Sequence, residues 1–414
     1  MEVAYSEALQ TIRGNPCPWR SVVPLNRMEI RNSDILGAVP SLVRSDSLAV
    51  LRDALRDLTG RQNILFAPSG RCAIAQLLSL LPHAEVVMPA YTCDVVKTAV
   101  EVAGKRIIYV DVARNSVNAT AAEYAAVAKP GRVLLVTHLF GIPTDVEAIC
   151  ALARERDCVV IEDAAGAFGS RRNGRILGTL GDFGVFSFER SKRISAFRGA
   201  AIAVNNDRLL NPDKLQAGRV VKSGRVMPVR EMVEALVYNA LTVPWFYGRF
   251  VMPRLVERYR NVPVEKDMSV EEAVTEACYT REFHPYQAAL ALRVIQRLDG
   301  IRERIAALVS VYRNAFRDAP IECLAPADCD QAALLRFPVA FPGRARVEIL
   351  RLALNRGLYL ETNFERPLAG ESEYPVHYPH ALWARQNVVL LPLYSTLPLS
   401  MAEVLARKVV EIAG

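Results

Sequence analysis

Between about residues 47 and 205 the chain alternates amphipathic helical patterns with short strands that are apolar on both faces. "SLAVLRDALRDL" has helical periodicity, "NILFAPSG" reads as strand and loop, and "RCAIAQLLSLL" as helix. The strands "EVVMPAY", "RIIYVDV", "RVLLVTHLFG" and "CVVIEDAA" follow, with "TCDVVKTAVEVAG" and "DVEAICALARER" as helices among them. "DFGVFSF" and "GAAIAVNN" close the series. A strand that is apolar on both faces must be covered on both faces, and parallel strands need crossover connections that supply the cover. The fold class is therefore α/β, with a mostly parallel central sheet and helices on both faces. Ligands of such sheets bind outside the carboxyl ends of the strands. The polar punctuation falls there: "PSG", "PAYT", "THLFG", "EDAAG" and "FERSK".

A chain of 414 residues exceeds one small core and suits two or three lobes. The pattern divides into an N-terminal segment (1–46), a large α/β domain (47–214), an apolar helical insertion (215–265) and a final region (266–414). The last holds a long linking helix, "PYQAALALRVIQRLDGIRERIAALVSVYRNAF", and a smaller C-terminal α+β domain. The insertion carries "REMVEALVYNALTVPWFYGRFVMPRLVERYR", apolar but interrupted by Glu234, Asn239, Pro244 and Arg249. A packed helical insertion is its leading reading, whether against the body, over an active site or against a second subunit, and membrane-surface contact by 229–260 the lesser one.

Lys and Arg outnumber Asp and Glu by 51 to 44, which suits anionic small molecules or acidic surfaces without choosing among them. No nucleic-acid partner is expected. The eight cysteines form no C-x-x-C pair and no Cys/His cluster with zinc spacing, so no metal is expected. Free thiols fit a reducing compartment. The start, "MEVAYSEALQ", lacks the basic region of a secretory signal. No uninterrupted apolar run is long enough to span a bilayer. The expected location is cytoplasmic.

Three stretches carry the chemistry. In "FAPSGRCAIAQLL", Ser69 and Gly70 open a helix whose unpaired N–H groups and dipole favour an anion, and Arg71 adds a cation. Capping alone would also explain Ser69. In "VVIEDAAGAFG", Asp163 ends an apolar strand and places a carboxylate at its carboxyl edge, where a helix N-cap is the alternative role. Glu162 points to the opposite face. In "GVFSFERSKRIS", Ser187 and Lys192 follow another buried strand, and Arg190 and Arg193 read as solvated turn residues. A lysine in a semi-apolar pocket can form a Schiff base. Together these groups describe a site for pyridoxal phosphate. Lys192 would bond the aldehyde carbon, Asp163 would partner the pyridinium nitrogen, and Gly70, Arg71 and Ser187 would cradle the phosphate.

These stretches, with "VVMPAYTCDVVKTAVEVAGKRIIYVDV", "VTHLFGIPTDVEAI" and the block "VVIEDAAGAFGSRRNGRILGTLGDFGVFSFERSK", resemble the DegT/DnrJ/EryC1/StrS group of fold-type-I pyridoxal-phosphate enzymes, the sugar aminotransferases. The resemblance is dense over about 60–205 and looser over 283–414. It implies a homodimer with active sites at the subunit interface, and transfer of an amino group from glutamate or glutamine to a keto sugar, typically nucleotide-linked. Lys192 would also shuttle the proton between substrate and cofactor.

The sequence departs from the family in four places. Gly166 stands where Gln or His usually follows the aspartate. Cys93 occupies the ring-stacking position, with less area than an aromatic. Gly70-Arg71 replaces Gly-Thr. Thr280, Arg281 and Glu282 match the partner-reaching Asn-Tyr-Arg only in outline. His138, ending the strand in "VTHLFG", and Arg198, in "SAFRGAA", are candidate substrate contacts, with structural and solvated roles as their alternatives. The departures and the apolar insertion leave room for elimination, decarboxylation or aldol-type chemistry on an amino-acid or lipid-linked substrate. A non-catalytic regulator with this fold is the third reading.

Overall fold

The computed structural model of the protein describes residues 22–43, 46–210, 226–254, 282–326 and 333–414. Its centre is a seven-stranded sheet built from β1 (Asn63–Ala67), β2 (Glu85–Pro89), β3 (Arg106–Val110), β4 (Arg132–Thr137) and β5 (Val159–Asp163), completed by β8 (Phe183–Ser187) and β9 (Ala200–Val204). A two-strand hairpin, β6 (Arg171–Arg172) and β7 (Arg175–Ile176), separates β5 from β8. The strand order is β1-β9-β8-β5-β4-β2-β3. Only β9 runs against its neighbours, so β1, β2, β4, β5 and β8 present their carboxyl ends to one edge.

Alternation along these strands fills two apolar layers. Val133, Leu135, Val159, Ile161, Phe183 and Val185 pack into one. Leu134, Val136, Val160 and Phe186 pack into the other. Helices Gly70–Leu80 and Asp94–Val102 contribute Ile74, Leu77, Leu78, Val96 and Ala99 to the first layer. Ile149 and Ala153, from Val146–Glu155, join the second. The double-sided apolar strands are thus explained by burial on both sides.

The long linking helix expected from the sequence is two helices, Pro285–Ile295 and Leu298–Phe316. The break falls at Gln296–Arg297, where the Arg297 guanidinium reaches both carboxylate oxygens of Asp34 (2.8 and 2.7 Å) and the Glu29 carbonyl (3.0 Å). A bidentate ion pair to a distant segment holds that turn out of line. Beyond it, antiparallel strands β10 (Glu322–Cys323), β11 (Arg336–Ala340) and β12 (Val389–Pro392) form a small sheet. Helices Arg346–Asn355 and Leu399–Ala413 accompany it.

Within the insertion, Val226–Leu241 is helical, followed by a short helical turn at Pro244–Phe246 and a π-helical turn at Tyr247–Val251. Of the segment resembling the family's partner-reaching residues, Thr280 and Arg281 lie outside the described residues.

Candidate active site

The site forms at the shared carboxyl edge. Strand β8 ends on buried Ser187, and the chain beside it starts a helix at Gly70. Ser69 caps that helix, its Oγ accepting the Cys72 N–H at 3.2 Å. A Cβ on Gly70 would lie 3.4 Å from Ser187 Cβ and 3.5 Å from its Oγ. The helix N-terminus and the Ser187 hydroxyl therefore line one small space, which glycine leaves open. Ser187 Oγ accepts the Glu189 N–H at 3.3 Å, so its proton remains available to donate. Arg71 occupies the first turn of the same helix.

The carboxylate and the amine are equally available. Asp163 Oδ1 accepts the Ala165 N–H at 3.0 Å, and no other hydrogen bond reaches this carboxylate among the described residues. It closes a local turn and caps no helix. Some of the residue's surface remains accessible, but its carboxyl is enclosed closely enough that burial pushes its pKa up, against the Ala165 hydrogen bond and the charge of Lys192. Lys192 projects from a loop of bends and is half-buried. Its ammonium makes no hydrogen bond or ion pair among the described residues, yet its charge acts on both Asp163 and Cys93. Burial pushes the Cys93 thiol up to about 11, with Lys192 opposing and Asp94 and Asp163 reinforcing. The thiol is neutral at physiological pH and offers a small, unreactive contact surface. Thr92, Thr137 and Ser195 add buried hydroxyl oxygens without partners near this edge.

Three sequence expectations change. Arg193 is no solvated turn residue. It is buried, with Nη1 2.7 Å from Glu29 Oε1, and it also donates to the Leu334 carbonyl. Glu29 in turn accepts the Ser395 N–H at 3.0 Å and the Ser395 hydroxyl. The lysine loop is thereby fastened to the N-terminal segment and the C-terminal lobe. Arg190 stays exposed beside Glu189, as read.

His138 also takes a structural role. Its side chain is fully buried, Nδ1 accepts the Thr144 N–H at 3.2 Å, and Nε2 lies 3.1 Å from Glu162 Oε2. These bonds assign the ring proton to Nε2 and leave neither nitrogen for a substrate. Glu162 collects the N–H groups of Gly178 (2.8 Å), Leu180 (2.6 Å) and Gly181 (2.6 Å) as well. Burial raises its pKa, but the His138 hydrogen bond and these donors outweigh that and hold it below the usual carboxylate range. The loop can lie this close because residue 184 is glycine; a Cβ there would collide with the Gly178 carbonyl oxygen.

Arg198, the other substrate candidate, is 41% exposed and spends Nε on the buried Glu231 of the insertion at 3.1 Å. Gly166 leaves a space whose nearest neighbours to a Cβ would be His138 O (3.6 Å) and Phe140 N (3.7 Å).

An aromatic group went unnoticed in the sequence. Phe140, just past β4, stacks on Phe364 at 5.6 Å, and Tyr91, just past β2, meets Phe364 edge-on at 5.6 Å. Phe140 and Phe364 both hold positive φ, 57° and 59°, a region non-glycine residues seldom occupy. Aromatic character is visible in the sequence, but neither that conformation nor a meeting of residues so far apart leaves a local signal. A cleft of about 610 Å³ lined by Arg61, His83, Asp157, Asp182 and Asn205 lies at the opposite edge of the sheet and includes none of these groups.

Pyridoxal phosphate fits the donor set. The Gly70–Ser187 space faces a helix N-terminus, the Asp163 carboxylate has acceptor capacity to spare, and Lys192 is an uncommitted amine in electrostatic contact with it.

The sequence pattern of the DegT/DnrJ/EryC1/StrS aminotransferase family matches residues 44–218 and 256–410. A pleiotropic regulatory protein from Geobacillus stearothermophilus is 34% identical over 127 residues, 30% of this chain and 34% of that protein. A UDP-N-acetyl-3-dehydro-alpha-D-glucosamine 3-aminotransferase from Acidithiobacillus ferrooxidans is 32% identical over 171 residues, 40% of this chain and 46% of that one. The chain thus spans less than half the length of either relative. Among solved structures, the aminotransferase TlmJ from Streptoalloteichus hindustanus superposes with a TM-score of 0.71 at 20% identity, covering 94% of this chain and 98% of that one. The GDP-4-keto-6-deoxy-D-mannose-3-dehydratase of E. coli gives 0.71 at 14%, covering 94% and 99%. At those identities the likeness is one of fold. The sequence match extends over most of the chain, and the protein belongs to the DegT/DnrJ/EryC1/StrS aminotransferase family.

Proposed function

We propose that this protein is a pyridoxal-phosphate-dependent aminotransferase that moves an amino group from glutamate or glutamine to a keto sugar, probed first among nucleotide-linked sugars. One observation carries the reading. The charge of Lys192, which has no bonded partner among the described residues, acts on Asp163, which accepts one hydrogen bond, at the sheet edge where Gly70 leaves the Ser187 hydroxyl uncovered. Family membership and the UDP-sugar 3-aminotransferase relative support it.

When bound, pyridoxal phosphate supplies a carbonyl carbon that accepts amines and a ring that withdraws electrons. The protein's part is to hold and to move protons. Gly70, Arg71 and Ser187 hold the phosphate, and Asp163 holds a proton at the ring nitrogen. Burial favours the neutral Asp163 carboxyl in the free site, and a cationic partner reverses that preference. Lys192 holds the cofactor at rest and carries the proton at the substrate carbon. Cys93, its thiol kept protonated by burial, would offer the ring a small contact without competing as a nucleophile. A homodimer with shared active sites is part of this proposal.

The test is spectroscopic. Purified protein with pyridoxal phosphate is expected to show a visible band that borohydride removes, and glutamate to convert it to the pyridoxamine form, which a keto sugar reverses. The cofactor's band without that conversion would favour the second reading, elimination or related chemistry. The replacement of the stacking aromatic by Cys93 and the space at Gly166 favour that alternative.

A further inference from the structure

Helix Val226–Leu241 buries charged and polar groups among its inward residues and carries a second apolar row facing outward. Its buried positions are Pro228, Glu231, Ala235 and Asn239, and half-buried Met232, Leu236 and Tyr238 pack against the core beside them; Thr242 is buried just past its end. Its outward positions are Val229 (42% exposed), Val233 (52%), Val237 (50%) and Leu241 (38%), and Trp245 (65%) extends the series just beyond the helix. Each follows the last by four residues, so they form one ridge. A surface helix ordinarily turns its apolar stripe inward. Buried polar groups and exposed apolar patches are the informative departures, and this helix has both.

The phase is fixed by hydrogen bonds. Glu231 meets Arg198 (3.1 Å) and Gln287 (2.7 Å), Tyr238 Oη donates to Asn26 O (3.0 Å), and Asn239 Nδ2 donates to Ile30 O (3.0 Å) and Asn32 Oδ1 (2.9 Å). Rolling the helix to bury its valines would break all of them.

We infer that this ridge docks the protein on the surface of an anionic lipid bilayer. Charge and shape select that occupant. Among the described residues of this segment, Glu231 is buried and Arg230 pairs with Glu234 at 2.7 Å, which leaves Arg249 and Arg254 as exposed cations in excess. That excess complements acidic headgroups, and the whole chain carries +7. Trp245 ends the ridge with Phe246 and Phe250 beside it (6.4 and 5.8 Å), the amphipathic composition that settles at a headgroup boundary. The ridge exposes on the order of 500 Å² of apolar side chain, large enough to mark an interaction surface. It is also one convex helix without a groove. No helix among the described residues is long and apolar enough to cross a membrane, so the contact lies on the surface.

Vesicle flotation of the full-length protein tests this independently of any catalytic assignment. Vesicles of phosphatidylglycerol and phosphatidylcholine are expected to carry the protein at low salt, and vesicles of phosphatidylcholine alone to carry several-fold less. Val233→Asp with Val237→Asp, both at exposed positions, is expected to lower binding at least tenfold with circular dichroism unchanged. Trp245→Ser is expected to lower it severalfold. Absence of flotation, equal binding to neutral vesicles, or undiminished binding of the double variant would each overturn the inference. So would a halved hydrodynamic mass of the double variant without wild-type flotation, which would give the ridge to a second copy.

Discussion

Lys192 and Arg193 are adjacent cations with opposite surroundings. On one side of the loop, Lys192 faces a carboxylate that it influences and does not bond. On the other, Arg193 is sealed against Glu29 and two strand-flanking carbonyls, at 3% exposure. The fold pairs the cation that holds the loop through both its terminal nitrogens and, among the described residues, leaves unpaired the one that would react. A stabilising pair and a reactive pair need opposite solvation, and a single peptide step separates them here.

The largest expected effect removes the reactive side. Lys192→Ala should lower turnover at least about a thousandfold, as loss of a covalent catalyst does, while the melting temperature moves by only a few degrees. A large loss of stability would erase the contrast between the two cations. Next is the sealed side. Glu29→Gln or Arg193→Met leaves one buried charge without its counterpart and should cost about 3–5 kcal/mol in denaturant unfolding. Replacing both by apolar residues should recover much of it, sharpening the claim that the cost comes from the orphaned charge.

A finer break uses the adjacent carboxylates in cofactor-free protein. The folded pKa of Glu162 lies below its ordinary 4.5, so its stabilisation is complete above that value and fades as pH falls through the folded one. Glu162→Gln should therefore cost about 2–3 kcal/mol at neutral pH and progressively less in acid. The folded pKa of Asp163 lies above 3.8, so stability is lost as pH rises through it, and Asp163→Asn should be as stable as the parent below 3.8 and more stable at pH 7. Unfolding at a series of pH values measures both signs at once. The smallest effect belongs to Ser187→Ala, expected to weaken cofactor binding about tenfold, near 1.4 kcal/mol, in a titration of cofactor-free protein.

What could be read in the sequence follows how local its cause is. The strands were readable because double-sided burial writes continuous apolar runs. Lys192, Asp163 and the Ser69–Gly70 helix start are readable because each sits at the carboxyl end of a strand or within a short turn of one. Arg193 was not, because its partner lies 164 residues away and nothing near it differs from a solvated turn. The break before Leu298 was hidden likewise, since Arg297 bends toward Asp34, 263 residues distant. For the insertion, composition indicates an apolar helical segment but not the side that faces in. Its phase is set by Asn26, Ile30 and Asn32, which no window around residue 235 contains.

Strand β5 ends in two consecutive carboxylates, and alternation sends them to opposite faces. Glu162 knits His138 and the Gly178–Gly181 loop together, while Asp163 is left for a ligand. A strand paired one residue out of register would exchange them, stranding an unbonded acid in the interior and spending the other on the active site. Such a slip would forfeit the hub before it could offer a faulty site. Correct assembly of this edge and competence to bind are therefore checked by the same event, and a misregistered chain is an unstable one rather than a stable, inactive one.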